Sequence, residues 1–117
     1  MSALFEPGRI GKMELKNRFV RSATVECLCT DEGRVTDAYL RAYERLAKGG
    51  VALIFPGNFY VNPLGRAYPK TPTVDRDEII DDLRKVAAVV HQNGAKIVAQ
   101  LNHGGRQADP KLTAATP

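Results

Sequence analysis

Two short apolar runs, "VALIF" at residues 51–55 and "KIVAQ" at residues 96–100, each follow directly on a helix-like stretch that ends in glycine. This pairing leaves little choice of fold. A continuous apolar run of about five residues is the pattern of a strand buried on both faces of a parallel sheet. Parallel strands cannot be joined by a tight turn, so each needs a crossover, usually a helix. The first crossover is "TDAYLRAYERLAKGG": Thr36 can cap a helix, Tyr39, Tyr43 and Leu46 share one face, and Gly49 and Gly50 stop it. The second starts where Asp75 and Glu78 have capping-box spacing, carries Ile80, Leu83, Val86, Ala87 and Val90 on one face, and ends at Gly94. Upstream, "RFVRSAT" at residues 18–24 is a further strand candidate, and "GRIGKMELKNR" alternates weakly around Gly11 as a short hairpin would. A loop rich in proline and glycine is expected from Pro56 to about Val74. The order is hairpin, then β-α-β-α-β, an α/β chain without internal repeat.

Composition narrows the function classes. Of 117 residues, 44% are hydrophobic and 26% charged, enough apolar material for a core, which argues against disorder. The net charge of +4 comes from basic residues scattered among acids, not gathered into the stripe that nucleic acid requires. No apolar segment approaches the roughly 20 residues of a membrane span, and "MSALFEPGR" lacks the regions of a signal peptide. A cytoplasmic chain is expected, with Cys27 and Cys29 as free thiols, too few for a metal cluster.

Parallel strands joined by helices send every strand-to-helix loop to the carboxyl edge of the sheet, where α/β proteins bind ligands. The strand ends "SATVE", "PGN" and "QLNHGG" would therefore face one site. Ser22, Ala23, Gly57, Gly104 and Gly105 are small and let backbone come close to something flat or bulky. Gln100 is the odd residue, because a buried amide without partners costs roughly 1–3 kcal/mol. Its adjacent donor and acceptor match a heterocycle edge with an N–H beside a carbonyl, as in a pyrimidine-like ring; a bond to a neighbouring loop is the plainer reading. His103 and Arg106 either contact a substrate or hold the last loop together, the second being the plainer reading. "NHGG" has no phosphate-binding GxGxxG or GxxxxGK[ST] pattern around it.

The blocks "LFEPGRIGKMELKNRFVRSAT", "YERLAKGGVALI" and "AQLNHGGRQ" together resemble the N-terminal part of the Old Yellow Enzyme family, the FMN-dependent NAD(P)H:flavin oxidoreductases. The resemblance covers nearly the whole chain. It implies the N-terminal portion of a (β/α)8 TIM barrel, with residues 1–117 forming the first segment of a single FMN-binding domain whose hairpin closes the barrel bottom. It further implies that Ser22, Ala23, Thr24 and Val25 run along the flavin ring, largely through backbone, that Asn58 lies beside the flavin, and that Gln100 hydrogen-bonds its pyrimidine edge. FMN, with NADH or NADPH as reductant, and an activated alkene or enone as substrate are the implied ligands.

The chain departs from that pattern in two places. Many members carry Thr or Cys where Val25 stands, and some place a substrate-contacting Tyr where Cys27 stands. A complete barrel needs about 250 residues, so the substrate-holding pair, the proton donor and the phosphate-binding residues would lie beyond Pro117, as would any iron–sulfur domain. Self-association, or pairing with the missing C-terminal segment, is expected. The competing function class is a non-catalytic α/β binding or assembly module that pairs with another chain.

Overall fold

The computed structural model describes residues 2–114. A single 3-10 turn at Ala3–Phe5 leads into an antiparallel hairpin of β1 (Gly8–Ile10) and β2 (Met13–Leu15), with Gly11 at φ 58° in the turn. Then come β3 (Val20–Arg21), α1 (Asp37–Lys48), β4 (Leu53–Ile54), β5 (Asn58–Tyr60), α2 (Ile80–Gln92), β6 (Lys96–Ile97), β7 (Gln100–Asn102) and a short α3 (Pro110–Thr113). β3, β4 and β6 form a parallel sheet in that spatial order, so β4 is central. The expected β-α-β-α-β order is present.

The helices sit together on one face of this sheet. Thr36 caps α1 through its hydroxyl, which accepts the Tyr39 N–H at 3.2 Å. Tyr39, Tyr43 and Ala47 of α1 pack with Ile54, Val86, Val90, Ala95 and Cys29 in the main core, and Leu46 lies against it. The alternation of a strand sends Leu53 to the opposite face, where it meets Ala52 and Leu15 of the hairpin, with Met13 and Phe55 alongside.

Three expectations need correction. The stretch after β4 is no plain loop: β5 pairs in parallel with β7, matching Asn58 with Gln100 and Tyr60 with Asn102. The Asp75–Glu78 capping box does not form. Asp75 instead accepts from the Thr73 hydroxyl at 2.5 Å and from Arg76 at 2.9 Å, and the helical turn starts at Asp77 without a side-chain cap. The buried stripe of the second helix is also shifted, with Ile79 buried and Ile80 exposed.

The same stripe contains a buried charge. Asp82, 3% exposed, receives Arg34 Nε at 2.7 Å, Arg34 Nη2 at 3.1 Å and the Val35 N–H at 3.1 Å. Arg34, then burial in opposition and the Val35 N–H, set the balance that holds this carboxyl below its usual range. The contact fastens the loop before α1 to α2. Among the described residues, no helix is long and apolar enough to cross a membrane.

Candidate functional site

The register brings Arg21, Ile54 and Ile97 into one row, so the three parallel strands end level. Every residue singled out from the sequence lies past that row, on the carboxyl edge. Ser22, Ala23, Thr24 and Val25 follow β3 as irregular chain, with Ser22 and Thr24 exposed and Ala23 and Val25 half-buried. Among the described residues this stretch makes no backbone–backbone hydrogen bond; the Ser22 carbonyl accepts from the Arg21 guanidinium and, at 3.5 Å, from the Thr24 hydroxyl. Its N–H groups therefore stay open on the edge.

Gly57 explains how this stretch lies against the next strand end. A Cβ there would stand 2.5 Å from the Thr24 carbonyl oxygen, 2.9 Å from Glu26 Oε2 and 3.1 Å from Val25 Cα. No other residue fits without moving backbone. The Gly57 N–H donates to the Tyr43 hydroxyl at 3.2 Å, and Glu26 is paired with Arg21 at 3.4 Å. The tyrosines of α1 read from the sequence as packing, and both are about 1% exposed. The contact from Tyr43 to Gly57 was not visible there, since a core spacing says nothing about a hydroxyl's partner.

Gln100 stands where the edge was expected to carry it, but its surroundings differ from the expectation. It opens β7 instead of ending β6, it is paired in register with Asn58, and it is exposed. The reason is topological: among the described residues the main sheet has three strands and stays open, so the face that would be an interior is uncovered on this side. Val20 is 48% and Leu101 64% exposed for the same reason.

The last loop is ordered from within. His103 Nδ1 accepts the Gly105 N–H at 3.0 Å, and its ring covers Gly65 so closely that a Cβ there would stand 2.5 Å from the ring. This is the loop-holding role expected of His103; Arg106 is exposed. Arg66 lies 5.0 Å from the centre of the Tyr60 ring and donates to the Asp31 carbonyl at 2.8 Å, tying two loops of this edge together. Cys29 is buried, and burial first, then the charge of Glu26, pushes its thiol up to about 12, so it is an inert neutral group near neutrality. Cys27 is exposed, at φ 53°. Among the described residues no group of His, Cys, Asp and Glu could hold a metal ion.

The edge fits a flat heterocycle held by its rim. Open N–H groups at residues 22–25, the close approach allowed by Gly57, and two side-chain amides in register at Asn58 and Gln100 supply donors, acceptors and space. These groups could hold such a ring.

A family model described as the NADH:flavin oxidoreductase / NADH oxidase family matches residues 3–117. A metal reductase from Desulforamulus reducens is 41% identical over 113 residues, covering 97% of this chain and 17% of the relative. An NADH oxidase from Thermoanaerobacter brockii is 35% identical over 111 residues, covering 94% and 17%. Among solved structures, Old Yellow Enzyme from Pichia sp. AKU4542 superposes with a TM-score of 0.88 at 33% identity, over 96% of this chain and 29% of that one. A 2-naphthoyl-CoA reductase complex gives 0.91 at 27% identity, over 97% and 17%. The chain thus spans between 17% and 29% of the length of these relatives. Its β-α-β-α-β order and hairpin are the N-terminal portion of their TIM barrel, with no closed barrel among the described residues. On this family match and these identities, the chain belongs to the NADH:flavin oxidoreductase / NADH oxidase family.

Proposed function

We propose that residues 1–117 form the first segment of a single FMN-binding (β/α)8 barrel domain, and that the complete protein, this chain with the rest of its barrel, is an FMN-dependent NAD(P)H oxidoreductase of ene-reductase type. The observation that supports this most directly is the carboxyl edge, where open backbone at residues 22–25 faces the same side as the in-register pair Asn58 and Gln100. Held there, FMN would supply hydride transfer from NADH or NADPH to an activated alkene or enone. The chain's own part is orientation. Ser22, Ala23, Thr24 and Val25 present backbone along the ring, Asn58 stands beside it, and the Gln100 amide donates to a ring carbonyl and accepts from a ring N–H. A cytoplasmic setting and pairing with the remaining barrel segment belong to the same reading.

Gln100→Leu in the complete protein removes both partners of the ring rim where closure of the barrel excludes water. FMN binding should weaken by roughly 1–3 kcal/mol, measured by calorimetric titration of the apoprotein. An affinity equal to that of the parent would sink the assignment.

Val25 offers the ring only its backbone, while Thr would add a hydroxyl within the same volume. Val25→Thr should therefore shift the flavin reduction potential and leave FMN occupancy nearly intact, as read by spectroelectrochemistry. A potential that does not move would count against residues 22–25 lying along the flavin.

A second reading, a non-catalytic module that pairs with another chain, draws on the exposed apolar residues of the open sheet, Phe19, Val20 and Leu101. A complete protein that is colourless and takes up no added FMN would select it.

A further inference from the structure

Tyr39 and Tyr43 stand one turn apart on α1, with ring centroids 4.6 Å apart. Their hydroxyls differ in what they touch. That of Tyr39 is buried and, among the described residues, has no hydrogen-bond partner of good geometry; the Tyr43 phenol is its polar neighbour. That of Tyr43 reaches through the core to the carboxyl edge and accepts the buried Gly57 N–H at 3.2 Å. Burial, with the charge of Glu26 adding to it, pushes the Tyr43 phenol upward, so it stays a neutral hydroxyl across the working range.

Gly57 is where the two strand-end segments of the edge touch, its Cα lying beneath the Thr24 carbonyl, Val25 Cα and the Glu26 carboxylate. Glu26 is in turn anchored to Arg21 at the end of β3. Asn58, the next residue after Gly57, starts the strand paired to Gln100. One hydroxyl on α1 thus holds the junction between residues 22–25 and the Asn58–Gln100 pair.

We propose that Tyr43 is a positioning residue for the cofactor edge: its hydroxyl, by fixing Gly57, sets the spacing between the open backbone of residues 22–25 and the amides of Asn58 and Gln100. The inference rests on reading this edge as the FMN site. It assigns Tyr43 no contact with the cofactor. Phe at this position keeps the ring and its packing and removes the hydroxyl, leaving the buried Gly57 N–H unpaired and taking away the O–H that neighbours Glu26 and Tyr39. Phe at position 39 removes a hydroxyl that holds nothing on the edge, so it makes a matched control.

The test compares Tyr43→Phe with Tyr39→Phe in the complete protein, by FMN affinity, by the flavin absorbance spectrum and by amide hydrogen exchange at Gly57. Tyr43→Phe should bind FMN about tenfold more weakly, about what one lost buried hydrogen bond is worth, with altered flavin bands and faster exchange at Gly57. Tyr39→Phe should stay within about twofold of the parent on the same scale. Faster exchange with unchanged FMN affinity and spectrum overturns the inference, because the hydroxyl is then merely structural. Equal losses in both variants overturn it too, as does a Tyr43→Phe protein that fails to fold. A parent that binds no FMN overturns the reading of the site and this inference with it, whereas a parent that binds FMN indifferently to Tyr43→Phe overturns the inference alone.

Discussion

Asp82→Ala should destabilise the chain by roughly 2–3 kcal/mol, seen as a lower urea midpoint at neutral pH. The carboxylate is almost wholly buried, and its removal takes away two guanidinium bonds and leaves the Val35 N–H without its acceptor. Arg34, with its side chain 44% exposed, can return to water, which keeps the loss below that of a fully buried pair. The same contact sets a pH signature. Arg34 holds the Asp82 carboxyl below its ordinary value in the folded chain, so the folded state binds its proton less readily than the unfolded state does. The stabilisation is fully present above the unfolded value of about 4 and is lost as pH falls through the lower, folded value. In urea titrations the parent should therefore lose stability below about pH 4 more steeply than Asp82→Ala does. Parallel acid limbs would show that the carboxylate is not the group responsible.

The 117-residue chain by itself should self-associate and show no NADPH-dependent enone reduction with added FMN. β3 and β6 each have one neighbour in the three-stranded sheet, so each presents an unpaired edge. Such edges pair readily with other chains. Phe19, Val20, Val98 and Leu101 are exposed on strands or next to them, where the remaining strands of a barrel would cover them. Catalysis should fail for an independent reason, since the proposed holoenzyme draws its phosphate-binding and substrate-holding groups from beyond residue 117. Light scattering and an enone assay check both halves. A stable monomer with turnover would contradict the reading of this chain as the first segment of a barrel.

Much of this architecture was legible because its causes are local. The Thr36 cap, the Tyr39–Tyr43 spacing and the apolar run at residues 51–55 each declare an element within a few residues; the cap and the buried tyrosines stand as expected, and the run supplies β4, though only at Leu53–Ile54. What could not be read depends on partners far away in sequence. β5 is three residues inside a stretch rich in proline and glycine, and it is a strand only because β7, some forty residues later, lies beside it. Nothing local marks Asp82 as a buried charge, because its partner Arg34 lies 48 residues upstream. Asp75 and Glu78 have the spacing of a capping box, but Thr73 and Arg76 are nearer competitors for the same carboxylate. The site divides in the same way. Gln100 could be singled out as an anomaly, and small residues marked the strand ends. That residues 24–26 lie over Gly57, and that Tyr43 holds Gly57 from behind, are facts of packing with no periodicity to announce them.

The central position of β4 gives the two free edges different histories. Crossovers between parallel strands run in one rotational sense, so each new βα unit of a barrel built on this start is laid down beside β6. Closure comes back to β3. During synthesis, at about 5–20 residues per second, the β6 edge is covered by the very next unit, while the edge that carries Val20 waits until the last strand has emerged. The long-lived sticky surface of the nascent chain is therefore β3, the first of its parallel strands.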